Sequence, residues 1–144
     1  MTKQQIELVQ KSFALVAADA DGAADIFYNR LFALDASLEL MFPADLSEQK
    51  RKLMTTLKFA VETLDRFDVF ESALENLGRK HAGYGVRDEH YGLVGTALIE
   101  TLRDGLGERF TPETETAWAT MFAVVANTMQ CAARKLSTAT TVAV

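Results

Sequence analysis

Leu77-Gly78-Arg79-Lys80-His81-Ala82-Gly83-Tyr84-Gly85-Val86 carries an imidazole at the end of a helical apolar stripe. His81 is one of two histidines in the chain. Phe70, Leu74 and Leu77 precede it at steps of four, three and then four, which places all four residues on one face of a helix. An imidazole therefore stands at the C-terminal end of an apolar stripe, and the stripe must face a core. Gly83, Tyr84 and Gly85 then break the helix. Two readings of His81 follow from this stretch alone. It is a hydrogen-bonded core histidine, or it is a single axial ligand of haem iron, which needs one imidazole on an apolar face. Zinc fits poorly, because it takes three or four clustered ligands.

Composition narrows the class. A chain of 144 residues suffices for one domain with its own core. Fifteen basic residues against twenty acidic ones leave a formal charge of −5, the wrong sign for a nucleic-acid footprint. The one dense basic run, Lys50-Arg51-Lys52, reads as a solvated helix face. Cys131 is the single cysteine, so neither a disulfide within the chain nor a multi-cysteine metal site can form. The start lacks a signal peptide's apolar segment, and no apolar run of about 18 residues occurs; a cytoplasmic protein without a membrane span is expected.

No alternating strand pattern and no Asn-Gly or Asp-Gly turn is present, so the chain reads as all-α. Helices are expected over about 2–18 (Thr2 as cap; Ile6, Val9, Phe13 and Val16 inside), 22–34, a short turn over 35–42 stopped by Pro43, 47–65 capped by Ser47, 68–82, 88–105 capped by Asp88, and 112–135. Thr111-Pro112 is a cap followed by proline at the first helical position. Residues 136–144, small and uncharged, read as a frayed tail of a single domain spanning 1–144. His90 stands beside Asp88 and Glu89, which favours a solvated face. Cys131 reads as buried and inert.

At this point the residues resemble a family. Ile26-Phe27-Tyr28-Asn29-Arg30-Leu31-Phe32, Leu40-Met41-Phe42, Gln49-Lys50-Arg51-Lys52-Leu53 and the run from Leu77 to Tyr91 are similar, in order and spacing, to the bacterial single-domain globins related to the globin half of flavohaemoglobins. The match spans roughly residues 4–133. It implies a globin fold, about seven helices around a haem pocket holding haem b (iron protoporphyrin IX). His81 would bond the iron, and Phe42 would wedge against the haem face. Leu53 would close the space above it, and Tyr28 with Gln49 would offer hydrogen bonds to a bound gas. Val86 and Tyr91 would border the cofactor near His81.

The resemblance also implies a function: reversible binding of O2, and of NO and CO. A first alternative is NO dioxygenation with an external reductase, since the sequence ends at Val144 without a flavin- or nicotinamide-binding region. In flavohaemoglobins a last-helix glutamate works with the tyrosine matching Tyr91. Here that position holds Ala133, which weakens the enzymatic reading. A haem-based gas sensor and a haem-free interaction module are the remaining alternatives.

Overall fold

The computed structural model describes the backbone of residues 1–143 and the side chains of residues 1–135. Six α-helices and two short 3-10 segments make up the described chain, with no strand among its residues. The helices are α1 (Lys3–Ala17), α2 (Ala20–Leu34), α3 (Ser47–Glu62), α4 (Phe67–Gly83), α5 (Asp88–Leu106) and α6 (Pro112–Ala143), with 3-10 segments at Ala36–Met41 and Gly107–Arg109. The all-α expectation holds. The last helix reaches Ala143, and the frayed tail expected over 136–144 concerns residues whose side chains lie outside those described. No helix among the described residues is long and apolar enough to cross a membrane.

Helix starts follow from side-chain acceptors that satisfy the first free N–H groups. The Thr2 hydroxyl accepts from Gln5 N–H at 3.1 Å, and Gln5 Oε1 accepts from Thr2 N–H at 3.0 Å, a capping box for α1. Asp19 caps α2 through Gly22 N–H, and Thr111 caps α6 through Thr114 N–H. Two expected caps are corrected. Ser47 is not the acceptor at α3; Asp45 is, taking Ser47's N–H at 3.0 Å and its hydroxyl at 2.7 Å. Asp88 is not the cap of α5; the chain turns there at Arg87, whose N–H is taken by the His90 ring.

Three packings set the frame. α4 lies along α6, and Gly78 permits the close approach: a Cβ on Gly78 would stand 2.6 Å from the Met129 Cα. α2 lies across α5, tied at the surface by Arg30 to Asp104 and Glu100. α1 meets α6 through Trp118, fully buried, whose Nε1–H donates to Ser12 Oγ at 2.8 Å. α3 rests on α1 and α2, with Gln10 Nε2 donating to Val61 O at 3.1 Å and Lys50 paired with Asp25 at 2.8 Å.

α3 and α4 are consecutive yet do not pack along their length. They converge at their joint, where Ala60, Val61, Leu64, Phe70 and Leu74 are buried. Beyond the joint, Gln49, Leu53 and Leu57 on α3 and Leu77 and His81 on α4 are only half-buried, although each sits on its helix's apolar stripe. The space between these two half-buried stripes is the candidate cleft.

Candidate functional site

His81 occupies the last turn of α4. Its ring Nδ1 lies 2.9 Å from the carbonyl oxygen of Leu77, one turn back. A carbonyl only accepts, so Nδ1 carries the proton and Nε2 keeps its lone pair. Burial pushes the His81 pKa down, and the Leu77 carbonyl draws it partway back. The ring is thus held neutral, in one tautomer, with one donor atom uncommitted. Among the described residues no group of three or more His, Cys, Asp or Glu side chains could hold a metal ion.

The helix end behind His81 is closed by its own carbonyls. Val86 N–H donates to His81 O at 3.1 Å, and Tyr84 N–H reaches both Lys80 O and His81 O. Gly85, at φ +84°, makes the reversal possible, since a side chain there would be strained. Val86 is thereby brought beside the backbone of His81 and is half-buried.

Tyr28 of α2 is almost fully buried. Its ring packs edge-on against Phe42, centroids 5.6 Å apart at 75°, and both approach Phe32. Phe42 stands where the 3-10 segment ends, with extended backbone just before Pro43, and stays half-buried. Burial pushes the Tyr28 pKa up, and the Gln49 side chain beside it partly lowers it again. The phenol therefore stays protonated, a donor. Gln49 lies in the first turn of α3, with Leu53 one turn on. Leu53 lines a small apolar cavity of about 20 Å³ with Phe27, Met54, Leu57, Leu98 and Trp118.

The structure thus joins Tyr28, Phe42 and Gln49 in one cluster, stacks Leu53 beside it, and links Val86 to His81. Tyr91 is half-buried in α5, its pKa raised by burial and then by the negative field of Asp88, and no hydrogen bond joins it to His81 among the described residues. The His81 N–H is already taken by Leu77.

Two sequence readings near the site are corrected. His90 is not solvated; it is 8 % exposed, with Nδ1 accepting from Arg87 N–H at 2.9 Å. The signal was its place at the third position of α5, where an acceptor side chain reaches back over the first turn. Cys131 is half-buried rather than buried, its thiol 3.8 Å from Asn127 Oδ1.

In this all-α chain an imidazole stands on one half-buried stripe of α4, and a phenol and an amide cluster where α2 meets the start of α3. The chain belongs to the globin family: the family profile described as Globin matches residues 25–129. Neuroglobin of Danio rerio is 35 % identical over 118 residues, covering 72 % of this chain and 74 % of that protein. Flavohemoprotein of Vibrio cholerae is 26 % identical over 127 residues, covering 85 % of this chain but only 32 % of that protein's length. The structure of a bacterial globin from Campylobacter jejuni superposes with a TM-score of 0.83 at 22 % identity, covering 94 % of this chain and 99 % of that one.

Proposed function

We propose that this chain binds haem b in the cleft between α3 and α4 and uses it to hold O2 reversibly, with CO and NO as further ligands. The observation that carries this reading is the state of His81: Nδ1 spent on Leu77, Nε2 uncommitted, on an apolar stripe that is half-buried where a filled core would bury it. The residues fit the group. A haem offers four of its iron's ligands itself and asks the protein for one, and the chain presents one.

Bound haem supplies an iron that takes a diatomic gas and polarises it. The chain's own residues do the rest. His81 holds the metal from α4, and the Leu77 carbonyl fixes its ring plane and raises its basicity. Leu53, Leu57 and Phe42 exclude water from the cleft. Phe42, wedged edge-on against Tyr28, limits how a flat group can tilt. Tyr28 O–H and Gln49 N–H present two donors to an acceptor carrying partial negative charge, each worth about 1.5–3 kcal/mol in a dry site. Glutamine's amide does not titrate near neutrality, so it steadies the gas without relaying protons. Val86 and Tyr91 border the His81 side.

The test is the absorption spectrum of purified protein in its ferric, ferrous and CO-bound forms, followed by O2 binding and release in stopped flow. A Soret band that shifts on reduction and on CO addition, with reversible oxygenation, is expected. Protein that takes up no haem overturns the reading. Mixing the oxygenated protein with NO, with and without a reductase, measures NO dioxygenation; sustained turnover would move the function from carriage to catalysis.

A further inference from the structure

His90 is a buried titratable group that gas binding does not use. It sits in the first turn of α5, 8 % exposed, flanked in sequence by Asp88, Glu89 and Tyr91. Its Nδ1 accepts Arg87 N–H at 2.9 Å, while its own backbone N–H donates to Arg87 O at 3.0 Å. Arginine has no side-chain acceptor, so the ring supplies what a serine, threonine or aspartate cap would supply. An imidazole accepts only at a nitrogen without a proton. The geometry therefore requires the neutral tautomer with hydrogen on Nε2.

Two segments of the site meet at this ring. Arg87 is the far end of the four-residue link over 84–87 between α4 and α5, in which Val86 N–H donates to His81 O at 3.1 Å. Asp35 starts the 3-10 segment that delivers Phe42; its carboxyl is held low first by the Ser37 hydroxyl and N–H, and His90 and Arg87 lie within its reach. The link turns through Gly85, at φ +84°, so its stiffness depends on both ends being tied.

We propose that His90 is a positioning residue for His81: as a neutral Nε2–H imidazole it closes the first turn of α5 and anchors the link against which His81 is held. The proposal rests on His81 being the iron ligand. The backbone N–H aimed at Nδ1 decides which tautomer the neutral ring adopts.

Three measurements on the pigmented protein as purified test this. Nitrogen NMR of His90 at neutral pH should show Nδ1 unprotonated; a proton on Nδ1 overturns the proposal. Amide exchange at Arg87, corrected for intrinsic rates, should be slow in the wild type and in His90→Gln, which keeps an acceptor at this position, and at least tenfold faster in His90→Leu. Equal exchange at Arg87 in all three proteins overturns the proposal. The ferrous iron–histidine stretching band should broaden or shift in His90→Leu and recover in His90→Gln. An unmoved band beside a lost Arg87 protection rejects the link to His81 while leaving haem binding intact. Should His90→Leu not fold, the wild-type tautomer and the exchange rate in His90→Gln still decide. Protein with no haem at all would fail the functional reading, and exchange at Arg87 would still report on the cap alone.

Discussion

The Nδ1 of His81 donates to the carbonyl of Leu77 at 2.9 Å, within the same helix and one turn apart. That bond spends the one proton of a neutral imidazole inside α4, so the ring can turn only its lone pair toward the cleft. Replacing His81 with alanine should leave the helical circular dichroism signal near wild type, because the removed ring packs on a half-buried face. Haem retention on a desalting column should fall at least tenfold, and added imidazole should restore part of it. Undiminished pigment in His81→Ala would place the cofactor elsewhere.

The same ring sets a pH window. Burial lowers the His81 pKa, with the Leu77 carbonyl only partly offsetting this. The folded value lies below the unfolded one, so on acidification the unfolded chain takes up the proton first. The stability contributed by the neutral ring is complete above the ordinary histidine value of about 6.5 and is lost as pH falls through the folded value. Haem retention and thermal midpoint should therefore be level from about pH 8 down to about 6.5 and decline below it. Retention that rises on acidification would contradict the assignment.

Tyr28 is where the ligand-binding argument is most exposed to measurement. Its raised pKa keeps the hydroxyl protonated at any pH the protein tolerates, so removing the hydroxyl removes a donor and little else. Tyr28→Phe keeps the ring contacts to Phe27, Phe32 and Phe42. O2 should leave several-fold faster or more, on the scale of one charge-assisted hydrogen bond of about 1.5–3 kcal/mol, with haem content unchanged. An unchanged off-rate would return Tyr28 to a purely structural role.

Thr2 and Thr111 were legible as caps in the sequence, because each reaches forward along the chain and such local chemistry survives as pattern; Asp19, in a stretch that reads as a break before a helix at 22, caps α2 from Ala20. The stripe from Phe70 to His81 was legible for the same reason. What sequence did not carry was tertiary. Asp88 and Glu89 made the start of α5 look solvated, yet a helix turns about 100° per residue, so His90 points inward between charged neighbours. At α3 the acceptor is Asp45, which takes Ser47 N–H from two residues before the helix begins. The half-burial of Leu77 and His81 on an apolar stripe depends on how α4 packs against the rest of the chain, and no one-dimensional pattern records that.

Gly78 is a further tertiary residue hidden in a readable stretch. One turn before Ala82 on α4, it sits directly on the Met129 backbone of α6. A methyl group there meets backbone rather than a yielding side chain, so the two helices must part. Gly78→Ala should cost about 1–3 kcal/mol despite alanine's better helix propensity, lowering the thermal midpoint by roughly 3–9 °C. Because α4 carries His81, haem dissociation should also accelerate. A stabilised Gly78→Ala, the usual result in a helix interior, would mean the crossing has slack.

Ser12 and Trp118 give the sharpest test of the core itself. The indole is fully buried and its one N–H has the Ser12 hydroxyl as partner at 2.8 Å. That hydroxyl in turn donates to Leu8 O, so it joins α1 to α6 through a two-bond chain. Ser12→Ala strands the indole N–H away from water, costing about 1–3 kcal/mol in chemical denaturation. Trp118→Phe loses the donor together with packing and costs more, about 2–4 kcal/mol. In Ser12→Ala/Trp118→Phe no donor is stranded, so the double variant should be less destabilised than the sum of the singles by about 1 kcal/mol or more. Strict additivity would show that water, rather than the protein, satisfies the indole once serine is gone.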